Sequence, residues 1–205
     1  MPYVLQTSQA SNPYRLLLIG VTGFGNNAAS LPLGVQYNGV PMKLAKSVGP
    51  VNQVSALIYY MQDADLPKAA GSYSVLMTSA GSGSFVLTAN ILELINVEQA
   101  TGAFDATGGQ ATPNSCTSHP PSDAVSVASD GEYVYSILGV YGQVNDPSPS
   151  LTGQTITEKL YSGSLGTLAG YLQVPSLGPR TISWTVSICS ASAHALVSIK
   201  PAKTP

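Results

Sequence analysis

Hydrophobic and polar residues alternate along Arg180 to Ala202, RTISWTVSICSASAHALVSIKPA. Ile182, Trp184, Val186 and Ile188 interleave with Thr181, Ser183, Thr185 and Ser187, the two-residue period of a strand with one buried face. Ala193, Ala195, Val197 and Ile199 alternate again after Ser190, and Pro201 ends the run because it cannot donate to a ladder. The two runs predict an antiparallel hairpin whose apolar faces need a second sheet to cover them, so the expected architecture is a β-sandwich.

The rest of the chain carries the same grammar. Tyr3–Gln9 predicts a peripheral strand, punctuated by Ser11, Asn12 and Pro13. Tyr14–Val21 is continuously apolar after Arg15, as in a strand buried on both sides. Leu33–Tyr37 and Val40–Val48 flank Asn38-Gly39, a pair suited to the positive φ angles of a type I′ turn. Further strands are predicted at Gln53–Met61, Ser72–Thr78, Ser84–Asn96, Glu132–Tyr141, Thr155–Tyr161 and Leu168–Val174. Gly102–Pro121 is rich in Gly, Pro, Thr and Asn without periodicity, which predicts a long loop suited to partner contact. About ten strands and no helix fit an all-β, two-sheet antiparallel sandwich of jelly-roll type. No fixed-period repeat is visible, which argues against a solenoid or propeller.

Length and charge refine this picture. A chain of 205 residues suits a single sandwich domain over 1–205, with 1–12 as a peripheral arm or strand. Charged residues make up 9% of the chain, so its surface is unusually neutral or covered by partners. No Lys or Arg occurs between Lys68 and Lys159, a span holding Glu93, Glu98, Asp105, Asp123, Asp130, Glu132, Asp146 and Glu158. Phosphate binding needs clustered cations, so direct nucleic-acid binding is disfavoured, and the acids read as solvated loop charges. The first residues lack a basic region followed by an apolar stretch, so no secretory signal is expected. The apolar run at Leu16–Ile19 is too short to span a bilayer, and no membrane association is expected. Synthesis in a cytoplasm would leave Cys116 and Cys189 as thiols in the usual case.

Candidate chemistry is sparse. Gly20, Gly23 and Gly25 are spaced GxxGxG with no helical pattern after them, which predicts a strand end rather than a phosphate loop. Asp63 and Asp65 resemble the opening of a calcium loop without its later ligands, so loop solvation accounts for them better. His119 and His194 are the histidines, and no GxSxG elbow accompanies them. Cys116, His119, Cys189 and His194 have spacings that a zinc site could use, but a chance arrangement is the simpler account. No catalytic residue, metal ligand or cofactor is assigned. The strand Glu132–Tyr141 places Tyr133, Tyr135, Ile137 and Tyr141 on one face, which could pack in the core or stack on a ligand. Tyr133, Tyr135 and Tyr141, with Asn114 and His119 from the 102–121 loop, are the candidate partner or ligand contacts.

Several pieces occur together in order: RLLLIGV at 15–21, YNGVPMKLAKS at 37–47, a Tyr-ended strand at 56–60, GSYSV at 71–75 and TISWTVSICSASAHALVSIKPA at 181–202. They resemble jelly-roll-like β-sandwich proteins of tailed phages and bacteria, in which RLLVVGV, YNGVxMT and a closing SxxWAxxAVSIKPA recur. His194 and Ala195 depart from that pattern, standing near where a Trp or Ala is common. The resemblance implies a non-enzymatic virion component, a capsid decoration protein or tail appendage module. The expected partners are other virion proteins and further copies of the chain, and the expected location is the virion. The alternative is a carbohydrate- or receptor-binding module of a tail fibre or surface adhesin, with a host glycan as ligand.

Overall fold

Strand β2 (Leu16–Gly25) is buried along nine of its ten residues, and the architecture follows from that. A strand hidden on both faces needs protein above and below it. The computed structural model describes residues 2–5, 12–25, 32–79, 85–113, 121–128, 130–142, 148–149, 153–162, 164–186 and 190–202. These residues form an all-β, antiparallel structure in four sheets.

The first half supplies β1 (Pro2–Leu5), β2, β3 (Pro32–Tyr37), β4 (Val40–Pro41), β5 (Lys43–Val51), β6 (Val54–Gln62), β7 (Gly71–Ser79) and β8 (Phe85–Leu94). The second supplies β9 (Phe104–Thr112), β10 (Ser122–Val127), β11 (Glu132–Tyr141), β12 (Ser148–Pro149), β13 (Gln154–Ser162), β14 (Leu165–Val174), β15 (Gly178–Thr185) and β16 (Ala191–Ile199). Two inner sheets, β5-β6-β2-β8 and β13-β14-β11-β16-β9, face each other. Their common core includes Leu16, Leu18, Ala56 and Ile58 from one and Ile137, Ala193, Ala195 and Val197 from the other. On the far side of the first inner sheet, Leu17, Ile19 and Val21 pack with Val35, Tyr37 and Val75 of the outer sheet β1-β7-β3-β4. On the far side of the second, Leu138, Val140 and Leu168 pack with Trp184 and Val186. Val134, Val174 and Leu196 do the same with Val125, Val127 and Ile182 of the outer sheet β10-β15-β12.

The pairing order repeats. β1-β7-β3 in the first half has the same order as β10-β15-β12 in the second, and β5-β6-β2-β8 the same as β13-β14-β11-β16. The repeat lies in topology, with only short echoes in sequence such as LIGV (18–21) and ILGV (137–140), so no fixed period betrays it. The additions are β4 in the first half and β9 in the second. The echoed glycines hold equivalent places. A Cβ on Gly20 of β2 would strike the Tyr135 hydroxyl and lie 2.7 Å from Ile137 Cδ1. A Cβ on Gly139 of β11 would lie 3.0 Å from Val54 Cγ1 and 3.2 Å from the Ser55 carbonyl oxygen. Each half thus presses against the other at a residue with no side chain.

Several expectations change. The closing runs do not pair with each other: β15 lies in an outer sheet between β10 and β12, and β16 in an inner one between β11 and β9. Both runs alternate, but β16 is buried at all nine positions, so its Ser and His residues mark a second packed face and not solvent. The span 102–121 holds β9, paired along β16 from Ser192↔Thr112 to Ile199↔Phe104. Its Gly108 and Gly109 obscured the periodicity and are demanded by packing, since a Cβ on Gly108 would lie 2.8 Å from Asp123 Oδ2. The Asn38-Gly39 turn is present, with φ of 51° and 78°, but the strand after it lasts only two residues before the chain crosses to β5 in another sheet.

Candidate functional site

Three polar constellations are built into the layers, and each traces to a local feature of the sequence. Arg15 precedes the apolar run of β2 and is fully buried with it. Its Nε donates to Asp63 Oδ1 at 2.8 Å, its Nη2 donates to the Pro67 carbonyl at 2.8 Å, and its Nη1 lies 3.6 Å from Glu93 Oε1. Lys68 Nζ reaches Asp63 Oδ1 at 2.7 Å. Gln99 closes the cluster, accepting from the Asp63 amide and donating to the carbonyls of Val97 and Arg15. Partial burial pushes the Asp63 carboxyl up, but hydrogen bonds and charge from Lys68 and Arg15 outweigh it and hold its pKa below the usual value. Asp63 is therefore no solvated loop acid, and Glu93, whose side chain is 3% exposed, is not one either. An arginine directly abutting a strand buried on both sides was the signal available in sequence. The cluster's charges are spent on one another, and they lock the short 3₁₀ turn Asp63–Asp65 to the start of β2.

The second constellation joins the halves. Thr22 of β2, Thr88 of β8 and Thr167 of β14 bring their Oγ1 atoms within 2.5 Å (Thr22–Thr88), 2.6 Å (Thr22–Thr167) and 2.6 Å (Thr88–Thr167). Three hydroxyls with one hydrogen each can close a ring in which every oxygen gives and accepts. Thr88 and Thr167 also border a cavity of about 70 Å³, completed by Phe24, Val86, Leu160 and Leu165. The space is small and its walls apolar, so it offers shape and contact and no acid or base.

The third lies between the second inner sheet and its outer cover. His194 is fully buried, and desolvation drives its pKa down to about 3. Among the described residues neither ring nitrogen has a hydrogen-bond partner, nor do Ser136 Oγ, Ser192 Oγ and Trp184 Nε1. A histidine without a neighbour to exchange protons with, and without solvent, is not arranged for acid–base work. Glu132 is also buried here, taking hydrogen bonds from the Ser198 hydroxyl and the Ala128 amide, so it too departs from the solvated-acid expectation. Among the described residues no three or more His, Cys, Asp or Glu gather as a metal would need, and no helix is long and apolar enough to cross a membrane.

The tyrosine face turns inward. Tyr135 is wholly buried in the core between the inner sheets, and its hydroxyl donates to Asn90 Oδ1 at 2.9 Å. It cannot meet a partner without opening that core. Tyr133 and Tyr141 are half-buried against the same core, and the Tyr133 ring meets Tyr171 at 5.8 Å and 67°. Asn114, His119, Cys116 and Cys189 lie outside the described residues, and with them three of the four residues of the zinc-compatible spacing.

The outward positions of the two outer sheets present a different chemistry. Ser72, Ser74, Leu76 and Thr78 of β7 are exposed on one side of the molecule. Ala124 and Ser126 of β10, with Pro179, Thr181 and Thr185 of β15, are exposed on the other. None carries a charge. Comparison with protein-family models, with curated proteins and with solved structures finds no match for this chain.

Proposed function

We propose that the chain is a non-enzymatic structural protein of a bacteriophage particle, decorating or cementing the capsid surface as an oligomer. The observation that carries this reading is that, among the described residues, the exposed outward positions of β7, β10 and β15 are uncharged and mostly hydroxyl-bearing. Short hydroxyl side chains lose less rotamer freedom than Lys or Glu when another protein covers them. The Arg15–Asp63–Lys68 cluster and the threonine ring support the same reading, because their polar groups are spent within the scaffold. Many modest contacts of this kind gain strength through repetition over a lattice. Mass spectrometry of purified virions tests it: a copy number matching the capsid lattice is expected, and absence or a handful of copies overturns the cementing role.

A second reading, a host-glycan-binding module, is favoured by one observation, the half-buried edge-on pair Tyr133 and Tyr171. A glycan array read with the wild type and Tyr133→Ala decides it, since loss of a stacking ring must abolish a genuine signal.

A further inference from the structure

We infer that the outer edge of β8 is a strand-addition site, and that its occupant is β8 of a second copy of this chain. The proposal deepens the assembly reading above but stands on edge geometry alone, and the purified chain tests it without any virion.

The four edges of the two inner sheets are not treated alike. β5 carries Lys43, Lys46 and Pro50, and its register with β6 shifts at Leu44/Lys46 and Val48/Val51. β13 carries Glu158 and Lys159, with a shift at Ile156/Glu158. β9 carries Asp105 and a shift opposite Ser198/Ile199. Charges, prolines and bulges are the means by which proteins keep an open edge from pairing with another chain. β8 has none of these on its outer side. Its sequence is FVLTANILEL, and it pairs with β2 through ten consecutive residues without a shift. Its one charged residue, Glu93, is turned into the Arg15 cluster. Ten residues at about 3.3 Å each make a straight edge about 33 Å long.

The molecule itself supplies the precedent. β16, the counterpart of β8 in the second half, has its outer edge closed by β9 running antiparallel, while among the described residues no strand lies beside β8. The same sheet order therefore admits one more strand at this place. β8 fits itself in that role. An antiparallel two-fold pairing centred on Ala89 sets Leu87 opposite Ile91 and Thr88 opposite Asn90, and it apposes no like charges. The isologous contact closes at two subunits and makes one continuous eight-stranded sheet from two four-stranded ones. Val86, 47% exposed, and Ile156 and Leu160 of nearby β13 add apolar surface beside the edge.

The test is light scattering after size exclusion over a dilution series, combined with hydrogen exchange resolved to the 85–94 peptide. A reversible dimer is expected, in which the 85–94 amides exchange about tenfold or more slowly than in the dilute monomer, with the β5 and β13 edges unchanged. Val86→Lys is expected to leave a folded monomer by circular dichroism. A monomer at every concentration overturns the proposal. So does an oligomer whose 85–94 amides gain no protection, which would place the contact elsewhere. Because exchange is read on the wild type, the outcome does not depend on the variant folding. Virion incorporation by a chain that stays monomeric in solution would sink this proposal and leave the cementing role standing.

Discussion

Gly20 is the residue on which the contact between the halves depends most sharply. Gly20→Ala puts a methyl group against the Tyr135 hydroxyl and Ile137, and overpacking of this kind costs about 1–3 kcal/mol. Urea unfolding should show that loss, with a smaller one for Gly139→Ala, whose nearest contact is 3.0 Å. His194 sets a pH response. Its folded pKa, about 3, is depressed below the ordinary 6.5 by burial, so the unfolded chain takes up its proton first as pH falls. The stability held through His194 is therefore complete above pH 6.5 and drains between 6.5 and 3, by about 1.4 kcal/mol per pH unit. His194→Leu, which also removes two unpartnered nitrogens, should flatten the stability profile by that slope over the same window. A wild-type profile already flat there would show that the imidazole is protonated or solvated in the fold.

At the scale of elements, burial ranks the strands. β2, β6, β11 and β16 are covered on both faces, so their amides should exchange only through global unfolding, whereas those of β10 and β15, half open to solvent, should exchange through local opening. Hydrogen exchange at neutral pH checks that order, and rapid exchange in β16 would refute it. This ranking also shows what the sequence reveals and what it hides. β2 is legible because a Leu-Leu-Leu-Ile run admits no solvent-facing side. β16 is not, because Ser, His and Ala alternate as an exposed face would, yet both its faces are packed. β9 is hidden by the paired glycines that let it fit between β16 and Val48. The partnering of β15 and β16 in different sheets is set by the whole topology, and no local pattern distinguishes it from a hairpin. The site residues fared similarly: the shared face of Tyr133, Tyr135 and Tyr141 is plain from alternation, while its inward direction depends on which sheet lies opposite.

For the whole molecule, the core between the inner sheets draws side chains from both halves, so neither half can unfold and leave the other with a covered face. Calorimetry should give a single transition whose calorimetric and van't Hoff enthalpies agree. Two resolved transitions would mean that the halves are energetically separate. A net charge of −2 and 9% charged residues give little mutual repulsion between copies, which is compatible with the assembly proposed above. In most sheets a one-residue slippage is policed by polarity, since it would turn the greasy side of a strand to water. The inner strands here have no watery side, and that safeguard is gone. The paired notches at Gly20 and Gly139 replace it. Only the native alignment sets each gap against the bulk opposite, so alignment is keyed by steric fit instead of by wetting.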